Sequence, residues 1–363
     1  MREDPLFLRA ARGEDTARAP IWVMRQAGRY LPEYRALKER HGFWEMVRTP
    51  ELAVEVTLQP VARYGLDAAI LFSDIMTPLP PMGVAIEFAP GPVFEAPVRD
   101  AAAVSALRVP DQDELAPFVG DALRLLRASS PAPVIGFAGA PLTLAAYAVQ
   151  GGGSKDFAAF RGFLRAQPEA AHALLEKLTE VTVRYLRMQV AAGAQAVQLF
   201  DSWAGLLDAR SYRAFGLPYA RRVMQALSGS SVPRIYLAVD AGHLYREIGG
   251  GGGAGVGADV VSVDWRRPLS EARRELGVGC LQGNLDPAAL LGPPDALADE
   301  AARVLREGLG GAHVFNLGHG ILPQTDPDAL ARLVEVVRGF DRRAAAAEAD
   351  AAGAERPPAG GLR

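Results

Sequence analysis

The sequence predicts an α/β protein with a single domain, a (β/α)8 barrel of the TIM type. Eight short apolar runs stop abruptly at polar residues or glycine, and helical patterns separate most of them. The runs are continuous rather than alternating, as expected for parallel strands that helices cover. They are IWVM (21–24), AAILF (68–72), PVIGF (133–137), AVQLF (196–200), RIYLAV (234–239), VVSV (260–263), GCLQG (279–283) and HVFNL (313–317).

A doubly wound open sheet would also contain buried parallel strands, and it is the alternative fold. Two features favour the barrel. No Gly-x-Gly-x-x-Gly follows the first run, and eight is the number of strands that closes a barrel. We expect the barrel to occupy residues 1–343.

Helix ends support the alternation of strands and helices. Thr49 and Pro50 predict the start of a helix through Val61, since threonine caps and proline suits the first turn. Further starts are predicted at Pro168, at Asp295 and at the Asp326-Pro327 pair.

Two segments lack the pattern of a packed element. Residues 344–363 contain alanine, proline and charge but almost no core formers, so a disordered tail is predicted. The glycine run at 249–257 is predicted to be a surface insertion. A phosphate-binding loop is not expected there, because no Gly-Lys-Ser/Thr follows.

Composition excludes several classes of protein. The chain has 39 basic and 42 acidic residues, a net charge of −3, which argues against a general nucleic-acid binder. Cys280 is the single cysteine, so neither an intramolecular disulfide nor a zinc site of paired thiolates is expected. No stretch reaches the roughly 18 apolar residues of a membrane span, and the first twenty residues lack the pattern of a signal peptide. A cytoplasmic protein without membrane contact is expected.

Several runs end in residue types that carry out chemistry. In a closed barrel the active site lies where the strands end, because the following loops converge on one mouth. The residues at these ends are Arg25, Ser73, Asp74, Asp201, Ser202, Trp203, Asp240, His243, Asp264, Asn316 and His319.

The loop after the first run predicts an anion site. A single arginine usually pairs with a surface acid, but Arg25, Gln26 and Arg29 lie together in one short loop. Guanidinium groups stay charged and fork onto carboxylates, so clustered arginines suit an acidic ligand.

Asp74 and His319 each leave two interpretations open. Asp74, at the end of a buried run, is either an N-cap for the next turn or an acceptor that stabilises a cationic intermediate. His319 lies between glycines, which allow a ligand to approach the backbone closely. The alternative for His319 is an ordinary turn residue.

Long motifs resemble a known family. WVMRQAGRYLPEYR (22–35) closely resembles the first signature of the uroporphyrinogen decarboxylase family, and GFAGAPLTLAAYAVQGGGSKDF (136–157) resembles the second. The resemblance covers about residues 5–340 and continues in the expected order through LFSDIMTPLPPMG (71–83), LFDSWAG (199–205), AGHL (241–244), GNLDP (283–287) and NLGHGILPQTDPD (316–328).

The resemblance implies a single-domain barrel, usually a homodimer, that works without a metal ion or an organic cofactor. It implies decarboxylation of the four acetate side chains of uroporphyrinogen III to give coproporphyrinogen III, in haem biosynthesis. Matching motif positions imply that the substrate is bound by Arg25, Gln26, Ala27, Gly28, Arg29, Asp74, Tyr147, Ser202 and His319.

The resemblance also implies that Asp74 is central to catalysis, as the stabiliser of a cationic transition state. Arg25 and Arg29 are candidates for proton delivery. Because arginine has a very high pKa, a water molecule or a substrate carboxylic acid polarised by arginine is the alternative donor.

Two rival functions come from different classes. Corrinoid-linked methyltransferases share distant ancestry with the decarboxylases and resemble zinc enzymes with thiolate ligands, but Cys280 has no second thiol to join it. A tetrapyrrole carrier would keep the arginines without the chemistry. Asp74 distinguishes the carrier from the enzyme, since a carrier has less need of a carboxylate at that position.

Overall fold

The computed structural model describes residues 4–88, 91–250 and 253–354. Its strands are β1 Ala69–Ile70, β2 Ile86–Phe88, β3 Pro92–Phe94, β4 Val134–Gly139, β5 Ala196–Asp201, β6 Arg234–Ala238, β7 Val260–Ser262, β8 Cys280–Leu285 and β9 Ala312–Leu317. Seven of them form one sheet in the order β1–β4–β5–β6–β7–β8–β9, and every pair in it is parallel. β2 and β3 form a separate antiparallel pair.

The first apolar run joins the two edges of the seven-stranded sheet. On the β9 side, Phe315 N–H donates to the Pro20 carbonyl at 2.8 Å, and Ile21 forms a parallel bridge with Phe315. On the β1 side, Asp67 N–H donates to the Ile21 carbonyl at 2.8 Å. The sheet therefore closes, and the α/β barrel predicted from the sequence is confirmed.

The prediction of a regular strand at 21–24 is wrong, because side chains replace strand backbone as hydrogen-bond partners. Ile21 N–H donates to Asp67 Oδ2 at 2.8 Å, and Val23 N–H donates to Gln26 Oε1 at 3.1 Å. Met24 N–H donates to Asn316 Oδ1 at 3.0 Å. The other seven runs all contain strands, including GCLQG, which lies in β8.

Polar side chains cross the barrel interior and tie distant strands together. Trp22 Nε1 donates to Gln282 Oε1 at 2.9 Å, and Gln282 Nε2 donates to Gln198 Oε1 at 3.0 Å. Gln282 lies on β8 and Gln198 on β5, which are not neighbours in the sheet. Buried amides that are hydrogen-bonded in this way specify one arrangement of the strands.

Helices follow most strands and pack on the barrel. They are α1 Leu6–Ala11, α2 Pro32–Lys38, α3 Phe43–Arg48, α4 Pro50–Tyr64, α5 Ala101–Ala106, α6 Pro117–Ser129, α7 Pro141–Gln150, α8 Ala158–Ala166, α9 Pro168–Ala191, α10 Ala209–Phe215, α11 Leu217–Ala226, α12 Tyr245–Gly249, α13 Leu269–Leu276, α14 Pro294–Glu307, α15 Pro327–Gly339 and α16 Arg342–Ala354. The starts predicted at Pro50, Pro168, Asp295 and Pro327 are confirmed to within one residue. No helix of the described residues is long and apolar enough to cross a membrane.

Residues 344–354 were predicted to be disordered, but they continue α16. Arg342 anchors the start of this helix, since its Nη2 donates to Asp15 Oδ1 at 2.8 Å and to the Gly311 carbonyl at 2.9 Å. Alanine has the highest helix propensity, so a run poor in core formers still forms a helix here. Residues 355–363 of the predicted tail, and 251–252 of the glycine run, lie outside the described residues.

Candidate active site

The loop at residues 25–29 is held at the barrel mouth by Gln26. This side chain is fully buried: its Oε1 accepts from Val23 N–H at 3.1 Å and its Nε2 donates to the Ala68 carbonyl at 3.1 Å. Tyr30 Oη donates to the Gln26 carbonyl at 2.8 Å. Gln26 therefore supports the loop, because both polar atoms of its buried side chain are hydrogen-bonded to the backbone of the barrel.

Arg25 extends from this loop in a strained backbone conformation. Its φ is +63°, in the left-handed region, which costs a residue with a side chain about 1–2 kcal/mol. Such strain is concentrated at functional sites, where the surroundings enforce it. The side chain of Arg25 crosses Gly320, where an added Cβ would come within 2.3 Å of Arg25 Cδ. Gly320 therefore leaves the space that the guanidinium stem occupies.

Arg25 and Arg29 differ in what they approach. The charge of Arg25 acts on Asp74, Tyr147 and His319, so these groups lie around one guanidinium. Arg29 is exposed, and its charge acts on Tyr34 instead. Neither arginine side chain forms an ion pair or a hydrogen bond within the described residues. Two unpaired guanidinium groups at one rim remain available to carboxylates.

The two small residues between the arginines, Ala27 and Gly28, are partly exposed. A Cβ on Gly28 would lie 3.2 Å from the Arg25 carbonyl, so the turn is tight at this point. The structure thus places all five predicted loop residues together, with Gln26 as the support.

Asp74 lies after β1 with one oxygen engaged and the other free. Oδ1 accepts from Met76 N–H at 2.8 Å, and Oδ2 has no hydrogen-bond partner within the described residues. Burial raises the pKa of the Asp74 carboxyl, whereas the Met76 N–H and the Arg25 charge act in the opposite direction. The N-cap-like bond to Met76 is thus present, and it leaves Oδ2 able to accept a donor from a ligand.

Aromatic side chains form a cluster near Asp74. The Tyr147 ring lies 5.9 Å from the Trp203 ring and 5.6 Å from the Phe157 ring, both edge to face. Burial raises the pKa of Tyr147 above its ordinary value, and the charge of Asp74 raises it further. Ser202, partly exposed, precedes Trp203 at the end of β5. Edge-to-face pairs are favourable geometries for aromatic packing.

His319 completes the group around Arg25 as a neutral side chain. Burial, followed by the charges of Arg25 and Arg266, lowers its pKa from 6.5 to about 4. The imidazole thus has a donor and an acceptor nitrogen at neutral pH.

His319 is expected to make stability depend on pH. Its folded pKa lies below the unfolded value, so the folded state binds the proton less tightly, and stability falls as the pH drops from about 6.5 towards 4. Replacing His319 with glutamine should reduce the loss of Tm over this range. Equal slopes in wild type and His319→Gln would contradict the assignment.

Sequence reasoning missed Arg266, whose charge acts on His319 together with that of Arg25. Its guanidinium stacks over the Trp265 ring at 4.3 Å and lies 3.3 Å from the buried Asp264 carboxylate. Both Asp264 oxygens also accept backbone N–H groups, from Asp240 at 2.6 Å and Arg266 at 2.9 Å. The sequence signal that could have identified Arg266 was its position two residues after the strand-end residue Asp264.

Metal ligation finds no support in the side chains of the described residues. No group of three or more His, Cys, Asp or Glu among them is placed to hold an ion. The single thiol, Cys280, is fully buried on β8, and burial raises its pKa to about 12. A thiol in this environment is a poor metal ligand, because zinc binds the thiolate.

Comparison with known proteins identifies the family. The sequence matches the family model described as Uroporphyrinogen decarboxylase (URO-D) over residues 2–340. The uroporphyrinogen decarboxylase of Geotalea daltonii is 46% identical over 340 residues, covering 93% of this chain and 99% of the relative. That of Syntrophotalea carbinolica is 48% identical over 341 residues, covering 93% and 98%. A solved methyltransferase from Methanosarcina mazei has a TM-score of 0.75 at 22% identity, covers 92% of this chain and 97% of its own, and shows the fold alone. The chain belongs to the uroporphyrinogen decarboxylase family.

Proposed function

We propose that this protein decarboxylates the four acetate side chains of uroporphyrinogen III, giving coproporphyrinogen III, in haem biosynthesis. The observation that carries the proposal is the Asp74 carboxylate, which keeps one oxygen free beside the unpaired guanidinium of Arg25. A polycarboxylate substrate fits the arginines. Its pyrrole N–H groups fit the free oxygen of Asp74.

The chemistry follows from charge. Protonation of a pyrrole carbon makes that ring an electron sink, so the bond to the carboxylate carbon breaks and carbon dioxide leaves with no added cofactor. The electron pair of the broken bond neutralises the cationic ring and leaves an exocyclic methylene. A proton then adds to this methylene and the proton first added to the ring carbon leaves, which gives the methyl group and restores the pyrrole. Asp74 stabilises this cation before the bond breaks, and a preplaced charge in a partly buried site lowers the barrier more than one in water.

The proton donor remains a choice between two proposals. Arg25 is well placed at the mouth but holds its proton too tightly to be an efficient acid at neutral pH. A water molecule or a substrate carboxylic acid polarised by Arg25 satisfies the same geometry. We favour binding as the main role of Arg25 and of Arg29.

A substrate carrier is the second candidate, because it shares the arginines. The position of Asp74 favours the enzyme, since burying an acid with one unpaired oxygen has a cost that a carrier has no reason to bear. The methyltransferase alternative is disfavoured by the buried thiol of Cys280.

Anaerobic turnover tests the proposal. Purified protein, treated with a chelator and given uroporphyrinogen III, should yield coproporphyrinogen III by product chromatography. Substrate that binds and is recovered intact would favour the carrier. Activity that is lost in the chelator and restored by zinc would favour the methyltransferase.

We also propose a homodimer and a cytoplasmic location, on the basis of the family resemblance and the composition. Sedimentation equilibrium at several concentrations tests the first, and a mass of one chain, 38.6 kDa, at all of them would contradict it.

A further inference from the structure

A buried carboxylate directly precedes the predicted site residue Ser202 in the chain, and the proposed chemistry does not use it. Asp201, the last residue of β5, is fully buried and forms no ion pair within the described residues. Its Oδ1 accepts from Thr143 Oγ1 at 2.8 Å, and its Oδ2 accepts from Tyr236 Oη at 2.7 Å. The hydroxyl of Tyr212 lies 2.8 Å from that of Tyr236. The charge of Asp201 is thus surrounded by three neutral side chains, those of Thr143, Tyr236 and Tyr212.

The same hydrogen bonds connect α7, which carries Tyr147, to the turn after β5, which carries Trp203. Thr143 lies on α7, one turn before Tyr147. Its Oγ1 also accepts from Trp203 N–H at 3.3 Å, so one hydroxyl joins α7 to the turn after β5. The Thr143 hydroxyl in turn donates to Asp201. Ser202 lies between Asp201 and Trp203 in the chain. These hydrogen bonds therefore hold α7 against the turn that follows β5.

Keeping a charge here is costly to folding. Burial raises the pKa of Asp201 to about 6, although the hydroxyls of Tyr236 and Thr143 act in the opposite direction. The groups that face it are these two hydroxyls and, beyond them, Tyr212 on α10. Glu247 and Arg221 act on Tyr212 from further away. An asparagine would have the same shape, but its NH2 group could not accept from a hydroxyl, whereas the carboxylate accepts from both Thr143 and Tyr236.

We propose that Asp201 is a positioning residue, which as a carboxylate holds Thr143 and Tyr236 in one donor arrangement and thereby fixes Ser202 and Trp203 against Tyr147. When Asp201 takes a proton, one oxygen becomes a donor, and either the Thr143 or the Tyr236 hydroxyl must turn away. This inference rests on the proposed function, because two of the residues it positions, Ser202 and Tyr147, are predicted substrate contacts.

Removal of one donor at a time tests the role. Thr143→Val keeps the shape and deletes the hydroxyl, and Tyr236→Phe does the same on the other oxygen. Each is expected to lower kcat/KM about tenfold and to move the acidic limb of its pH profile upward from about pH 6, because the carboxylate loses one of its two donors. Thr143→Ser, which keeps the hydroxyl, should restore both properties.

Thr179→Val is the matched control for lost packing. Thr179 is a buried threonine on α9 whose hydroxyl donates only to the Leu175 carbonyl of its own helix, at 2.7 Å. The Thr179→Val substitution should change Tm without moving the acidic limb of the pH profile of kcat/KM. A Thr143→Val protein whose kcat/KM and acidic limb match those of wild type would overturn the proposal. If Thr143→Val does not fold, Tyr236→Phe decides by the same criteria.

A binding measurement separates this inference from the proposed function. The affinity of the unreactive oxidised ligand uroporphyrin III is read from tryptophan fluorescence quenching. Wild type that binds this ligand without any turnover of uroporphyrinogen would contradict the proposed function alone. In that case the inference predicts a Kd about tenfold weaker in Thr143→Val and unchanged in Thr179→Val, and an equal Kd in all three proteins would overturn it.

Discussion

Replacing Asp74 with asparagine is expected to lower kcat about 100- to 1,000-fold while the Kd for substrate changes less than tenfold. The substitution keeps the size of the side chain, and its remaining oxygen can still accept from Met76 N–H, which lies 2.8 Å from Oδ1 in the wild type. What disappears is the negative charge that, in the proposed mechanism, faces the cationic intermediate. Removing one preorganised stabilising group typically reduces kcat by this factor, about 3–4 kcal/mol.

Asp208→Asn is the control for Asp74. Asp208 also accepts a backbone N–H, from Ser211 at 2.9 Å, but it caps α10 at the surface, and asparagine caps helices equally well. Its kcat should equal that of wild type. Rapid-quench measurement of carbon dioxide gives kcat, and an Asp74→Asn protein that keeps more than a tenth of it would show that the carboxylate is not catalytic.

The second large effect is expected at Arg25. Arg25→Lys keeps the charge and loses the planar fork that binds a carboxylate through two N–H groups. Hydrogen bonds to charged groups contribute about 1.5–3 kcal/mol, so KM should rise roughly 10- to 100-fold with a smaller change in kcat. Steady-state kinetics under anaerobic conditions measure both constants, and an unchanged KM would contradict the binding role.

Gly320→Ala tests the same role without altering the arginine. The new methyl group would lie 2.3 Å from Arg25 Cδ, so the guanidinium stem must move. KM should rise in the same direction as in Arg25→Lys. Gly339→Ala is the control, because a Cβ there meets nothing within 4 Å and KM should stay at the wild-type value.

Local pattern was sufficient to predict the barrel, and it singled out Arg25, Asp74 and His319, which the structure brings together. Apolar runs ending at Asp74 and Asp201 gave the strands and the mouth together, because strand ends and active sites coincide in this fold. The arginine loop was recognisable because two cations lay within five residues of each other. The run at 21–24 lies between the sheet edges but is not a regular strand. Its backbone bonds instead to the side chains of Asp67 and Asn316, which are far away in the chain.

What the sequence did not reveal depends on contacts between distant residues. The buried role of Gln26 follows from its bond to Ala68, and the space for Arg25 follows from Gly320, 295 residues away. The separate surroundings of Arg25 and Arg29 depend on loop conformation, which adjacency in sequence does not determine. Residues 344–354 were misjudged because disorder was inferred from the lack of core formers while helix propensity was neglected.

Single-turnover release of carbon dioxide, with enzyme in excess over bound uroporphyrinogen III, tests the central claim most directly. Wild type is expected to release four molecules of carbon dioxide per substrate and to leave coproporphyrinogen III. Asp74→Asn, at equal occupancy of the substrate, is expected to release almost none on the same time scale. Full occupancy of wild type without release of carbon dioxide would contradict the claim that this barrel mouth is a decarboxylation site.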